Sequence, residues 1–204
     1  MRVRQMQVKC PWDLDSEGKP LIESPENQWA IEYCESRGVP ISYFQKPEKD
    51  DRVRSLASWL IGPRNFILIL SNRSDLIWEL YYYLAPTWAV TTKNGFYILD
   101  IKEFDTQDYK EVLPKVESAN LLIIPYTDHT SYDLRRKKNI LGNVLAKRKA
   151  RKMPFVTDLF VKPMPSSQKD IITSIQPLAN IFGESSTPMF LDKDSNAKIV
   201  RLES

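Results

Sequence analysis

The sequence predicts an α/β fold, a three-layer sandwich with a mainly parallel central sheet. Three observations carry this. Residues 120–162 read as strand, loop, helix, strand; Phe66-Ile67-Leu68-Ile69-Leu70 is the most apolar pentad in the chain; and such runs alternate with stretches whose apolar residues recur at helical spacing. Leu121–Ile124 is an apolar run short enough for a strand buried on both faces. A strand–helix–strand unit of this length implies a right-handed crossover between parallel strands.

Composition sets the bounds. The chain has 204 residues, enough for one domain with a core and a modest extension. Hydrophobic residues make up 42% and charged residues 27%, as in ordinary globular proteins. No apolar run approaches the roughly 20 residues needed to span a bilayer. The opening MRVRQMQVKCPWD has basic residues with no apolar segment after them, unlike a secretory signal. A cytoplasmic protein without a membrane partner is expected. Cys10 and Cys34 lack metal-ligand spacing and read as free thiols of a reducing compartment. His129 has no histidine or cysteine beside it, so it reads as a polar loop residue. No metal and no cofactor are expected.

In chain order, Val3, Met6 and Val8 hint at a strand that Pro11, Asp13, Asp15, Gly18 and Pro20 break up. Ser24 as N-cap and Pro25 at the first position open a helix with Trp29, Ala30, Tyr33 and Cys34 as its stripe, stopped at Gly38. Residues 50–61 form a helix with Val53, Leu56, Ala57 and Leu60 on one face. Residues 62–65 turn into the 66–70 strand. Ser71-Asn72-Arg73-Ser74-Asp75 leads to a helix over 76–84, expected to stop before Pro86. Of its aromatics, Trp78 and Tyr82 are expected in the core, and at least one of Tyr81, Tyr82 and Tyr83 faces outward.

Trp88-Ala89-Val90 and Phe96-Tyr97-Ile98-Leu99 flank Asn94-Gly95, which predicts a hairpin. Residues 105–116 form a helix with Tyr109, Val112 and Leu113 inward. After the Leu121–Ile124 strand, Pro125-Tyr126-Thr127-Asp128 turns into a helix carrying Ile140, Leu141, Val144 and Leu145. Pro154 stops it, and Phe155-Val156-Thr157 begins the next strand. Residues 170–182 read as a helix ended by Gly183. Pro188-Met189-Phe190-Leu191 and Ala197-Lys198-Ile199-Val200 read as a last hairpin.

The 120–162 stretch resembles the core of AAA+ ATPases of the bacterial helicase-loader type, relatives of the ATP-binding subunit of IstB-type transposition systems. In that family an apolar strand ends in an acidic pair that holds Mg²⁺ and polarises water. A helix follows, with an Arg six residues before a Pro, and then the sensor strand. Leu121–Ile124, Arg148 before Pro154, and Phe155-Val156-Thr157 match. Gly38-Val39-Pro40 and the aromatics after it resemble a Gly-Ile-Pro segment that leads into the family's ATPase domain. The resemblance implies a P-loop NTPase (AAA+)-like fold, here without a full C-terminal lid domain. It also implies an N-terminal extension and helix over 1–36 and the α/β domain over 37–204.

Two positions depart from the family. A phosphate loop needs glycines, a Lys for the β/γ-phosphates and a Ser or Thr for Mg²⁺. At its place Ser71, Asn72, Arg73 and Ser74 offer hydroxyls but neither Gly nor Lys. Where the acidic pair belongs stand Pro125 and Tyr126. With both anchors gone, Mg²⁺, triphosphate and attacking water are unplaced. The expectation is a degenerate AAA+-like protein with no catalytic residues. An unrelated Rossmann-like domain that never held a nucleotide has the same pattern of elements, and the sequence leaves it open.

The remaining signal is charge. Net charge is +3 and the pI about 8.7, a mild excess. Yet Arg135, Arg136, Lys137, Lys138, Lys147, Arg148, Lys149, Arg151 and Lys152 place nine cations within eighteen residues. Such a face suits phosphates, with steep salt dependence, or an acidic protein surface, and it equally suits plain solvation. The resemblance gives Arg148 a further role in trans, reaching a neighbouring subunit's nucleotide. The function expected is a non-catalytic accessory protein that binds a replicative helicase, an initiator or another AAA+ protein in replication or transposition. The context comes from the resemblance. The alternatives are a DNA-binding adaptor using the 135–152 face, and an enzyme of unrelated chemistry, for which Asp100, Asp128 and His129 form no constellation.

Overall fold

The runs of Ile, Leu, Val and Phe become five strands of a single sheet, because a strand buried on both faces needs apolar residues at every position. They are β1 (Phe66–Ser71), β2 (Phe96–Ile98), β3 (Leu121–Ile124), β4 (Phe155–Phe160) and β5 (Ala197–Leu202). The order is β2-β3-β4-β1-β5 and every pairing is parallel. Leu68 faces Thr157 on one side and Ile199 on the other, so the most apolar strand lies between two neighbours. The computed structural model describes residues 7–40, 43, 51–61, 66–100, 103, 109–125, 131–178 and 197–202.

Alternation along the strands assigns the two faces. Ile67, Ile69, Leu121, Ile123 and Val156 pack with α1 (Gln28–Ser36), α2 (Asp51–Ile61) and α3 (Ser74–Thr92). Leu68, Leu70, Leu122, Ile124 and Phe155 pack with α4 (Tyr109–Ser118), α5 (Ser131–Ala150) and α6 (Gln168–Ile175). The three layers and the parallel central sheet are those expected. The N-terminal segment joins the first layer: Val8, Cys10, Trp12 and Ile22 share its core. Arg54 ties the segment down, donating to the Val8 carbonyl at 3.1 Å and pairing with Asp13 at 2.8 Å.

Two expectations about the elements are corrected. Helix α3 does not stop before Pro86 but runs on to Thr92. An interior Pro costs about 3 kcal/mol, whereas burying Leu84, Trp88 and Val90 returns roughly 1.5–3 kcal/mol each. The hydroxyl of Thr87 donates to the Tyr83 carbonyl at 2.8 Å within the same turn. The helix ends at Lys93, left-handed at φ 56°, whose N–H returns to the Ala89 carbonyl. The predicted hairpin across Asn94-Gly95 is therefore absent: β2 leaves the helix and pairs in parallel with β3. At the other edge β5 pairs in parallel with β1; residues 188–191, its expected hairpin partner, lie outside the described residues.

The aromatic assignment also changes. Tyr81 and Tyr83 are the buried pair, and Trp78 and Tyr82 are the half-buried ones.

Candidate functional site

In parallel α/β sheets, ligands bind beyond the carboxyl ends of the strands. There β1 passes into α3 through Asn72 and Arg73 alone. The short link closes on itself. Ser71 Oγ donates to the Arg73 carbonyl at 2.9 Å and accepts the Arg73 N–H at 3.0 Å. The Arg73 guanidinium turns along the surface to Asp75 and holds that carboxyl below its ordinary range. The Val161 N–H donates to the Ser71 carbonyl at 2.9 Å, tying the end of β1 to the residue after β4. Asn72 Oδ1 is buried and meets no donor. At the end of β3, Pro125 is buried, and Tyr126 lies outside the described residues.

The sensor-strand position holds two buried polar residues. Thr157 Oγ1 donates to the Ile124 carbonyl at 2.9 Å, bridging β4 to β3. Asp158, fully buried, accepts the Tyr81 hydroxyl at 2.7 Å across the sheet–α3 interface. Sequence reasoning named Thr157 but missed Asp158, because an acid in a buried strand becomes legible only once a tyrosine 77 positions away in the chain is seen against it.

Arg148 requires a correction. It is 1% exposed, so it belongs neither to the basic surface nor to an edge that could reach another subunit. Its guanidinium donates to the carbonyls of Val116 (3.2 Å), Ala119 (2.8 Å), Asn120 (3.5 Å) and Pro154 (2.5 Å). Only Nε lacks an acceptor. Burial pulls its pKa down to about 10, which leaves it charged at neutral pH. The fork thus clamps the α4–β3 loop and the start of β4 to the end of α5.

Of the other expected basic residues, Lys147 pairs with Glu117 at 2.6 Å, and Lys149, Arg151 and Lys152 are exposed. The turn is a Schellman cap. Met153 N–H reaches the Arg148 carbonyl at 2.9 Å and Lys152 N–H the Lys149 carbonyl at 3.1 Å, with Lys152 at φ 54°. Arg135, Arg136, Lys137 and Lys138 lie on α5 with side chains outside the described part, as is the side chain of Ser74. Asp128 and His129 are also outside it, and Asp100 is exposed. Among the described residues no three His, Cys, Asp or Glu side chains are placed to hold a metal, and no helix is long and apolar enough to cross a membrane.

A concavity the sequence did not announce opens at the other end of the sheet. It measures about 230 Å³ and is lined by residues of α1, β2, α4 and the loop before β3, among them Tyr33, Arg37, Tyr97, Lys115 and Asn120. Arg37 lies over both the Tyr33 ring (5.3 Å) and the Tyr97 ring (5.2 Å). No local signal could have found it, because four separate elements build it.

No family model matches the chain, and no curated protein matches it in sequence. Among solved structures it is similar to the crystal structure of the DnaC helicase loader, at 11% identity and a TM-score of 0.57 over 79% of this chain and 96% of that one. It is also similar to the crystal structure of DnaI, at 10% identity and a TM-score of 0.50 over 81% and 92%. The likeness is one of fold: the chain shares the α/β fold of these two structures.

Proposed function

We propose that this chain is a non-catalytic AAA+-like accessory protein that binds a protein partner in DNA replication or transposition. The observation that carries the reading is the link between β1 and α3. It has no Gly or Lys, and Ser71 spends its hydroxyl on the Arg73 backbone. Wrapping a triphosphate takes a longer loop with several inward N–H groups. Pro125 in place of an acid at the end of β3 supports the same conclusion. The fold likeness to the DnaC helicase loader supports a replicative helicase as the first partner to test, ahead of an initiator or another AAA+ protein.

Two measurements test this. Titration calorimetry with ATP and Mg²⁺ is expected to show no binding; a saturable heat would overturn the non-catalytic part. The purified chain is expected to co-elute with the replicative helicase of its own cell at high salt, with or without ATP. If the helicase, the initiator and the cell's AAA+ proteins all elute apart from it, the partner reading is lost.

A second reading, a DNA-binding adaptor, draws on exposed Lys149, Arg151 and Lys152 at the end of α5. DNA affinity that falls steeply with salt would favour it.

A further inference from the structure

We infer that the concavity at the amino end of β2 and β3 is an anion site that takes a single phosphate group. The inference does not rest on the partner reading above, because it concerns the opposite end of the sheet. Two cations converge there: Arg37 from the end of α1 and Lys115 from the last turn of α4. Neither has an ion pair among the described residues, and no carboxylate lines the space. The nearby acids are committed elsewhere. Glu117 pairs with Lys147, and Glu103 accepts the Tyr97 hydroxyl at 2.5 Å. Cations at helix C-termini are favoured by the macrodipole, which accounts for each one separately. It does not account for both facing one acid-free concavity.

The surroundings are rigid, as a binding site requires. The Tyr33 hydroxyl donates to the Phe96 carbonyl at 2.6 Å, and its ring meets Phe96 edge-on at 5.3 Å. Gly95 permits this, since a Cβ there would lie 2.6 Å from the Tyr33 hydroxyl oxygen. Asn120 is held by its amide donating to Asn94 Oδ1 at 3.3 Å. Between two ring faces the Arg37 guanidinium keeps its planar fork oriented while its N–H edge stays available, the geometry that grips phosphate bidentately. At about 230 Å³ the open concavity has room for a phosphate with its attached sugar. Such a phosphate could belong to a free mononucleotide or to the end of a nucleic-acid strand.

The test is calorimetry on the full chain with four probes: inorganic phosphate, a nucleoside monophosphate, and one short oligonucleotide in 5′-phosphorylated and 5′-hydroxyl forms. The phosphorylated probes are expected to bind. Arg37→Ala and Lys115→Ala should each weaken them about tenfold, the share of one charge-assisted hydrogen bond. A phosphorylated strand that binds about tenfold tighter than its hydroxyl twin identifies a strand end. A monophosphate that binds as well as the phosphorylated strand identifies a free nucleotide. Lys115 is exposed, so its variant keeps the test alive if Arg37→Ala disturbs the end of α1, and Arg37→Lys should retain part of the affinity. Failure of all phosphorylated probes to bind, or binding that survives both alanine variants, overturns the proposal. Equal competition by polyglutamate also overturns it, in favour of an acidic protein surface.

Discussion

At the carboxyl end of the sheet, β1 enters α3 through a two-residue link whose polar groups close on one another. At the amino end, four carbonyls gather around one buried guanidinium, and two further cations face a concavity without an acid. The first end is where this fold class ordinarily does its chemistry, and here its hydrogen bonds are local and spent. The second end is ordinarily structural, and here Arg37 and Lys115, without an ion pair among the described residues, face one space. The contrast teaches that layers and sites rest on different residues: layers depend on apolar runs, and sites depend on a few polar side chains.

The largest expected effect lies at the amino end. Arg148→Ala should lower the unfolding free energy by about 3 kcal/mol, since it strips donors from four carbonyls and the stem from the core. Urea denaturation followed by circular dichroism measures it. A loss near zero would mean that water satisfies those carbonyls and that Arg148 is no clamp. Tyr81→Phe comes next, at about 2 kcal/mol, because buried Asp158 loses the Tyr81 hydroxyl as one of its partners. Here thermal unfolding is the readout, and an unchanged midpoint would show that the other contacts of Asp158 suffice.

Ser71→Ala should cost about 1 kcal/mol, the worth of a local side-chain-to-backbone closure. A markedly larger loss on chemical denaturation would show that the link does more than close on itself. The smallest effect belongs to Glu117→Gln. The Lys147–Glu117 pair is open to solvent at its lysine end, with the two side chains 52% and 21% exposed, so the change should stay within about 0.5 kcal/mol. Added salt should shrink it further; a salt-independent loss would show that the pair is effectively buried and belongs with the Arg148 clamp.

Most of the fold was legible in the sequence. Phe66–Ser71 and Leu121–Ile124 are nearly uniform in polarity, so local pattern alone marks a doubly buried strand. The apolar faces of α2 and α5 repeat at helical spacing for the same reason. That Ser71–Ser74 holds neither Gly nor Lys, and that Pro125 follows β3, is likewise read from the residues alone.

What only the tertiary structure decided are the places where a distant partner outweighs a local rule. Pro86 reads as a stop until the burial of Leu84, Trp88 and Val90 exceeds its cost. Asn94-Gly95 reads as a hairpin until the edge of β3 captures Phe96–Ile98 in parallel. Arg148 reads as one more surface cation until its stem enters the core and backbone carbonyls from three segments surround it. Arg37 and Lys115 lie 78 positions apart, and only the packing of α1 and α4 against the end of β2 brings them to one space. Local sequence fixes periodicity and chain stiffness. Whether a charge is exposed, buried or facing another charge depends on surfaces that do not exist until the layers meet.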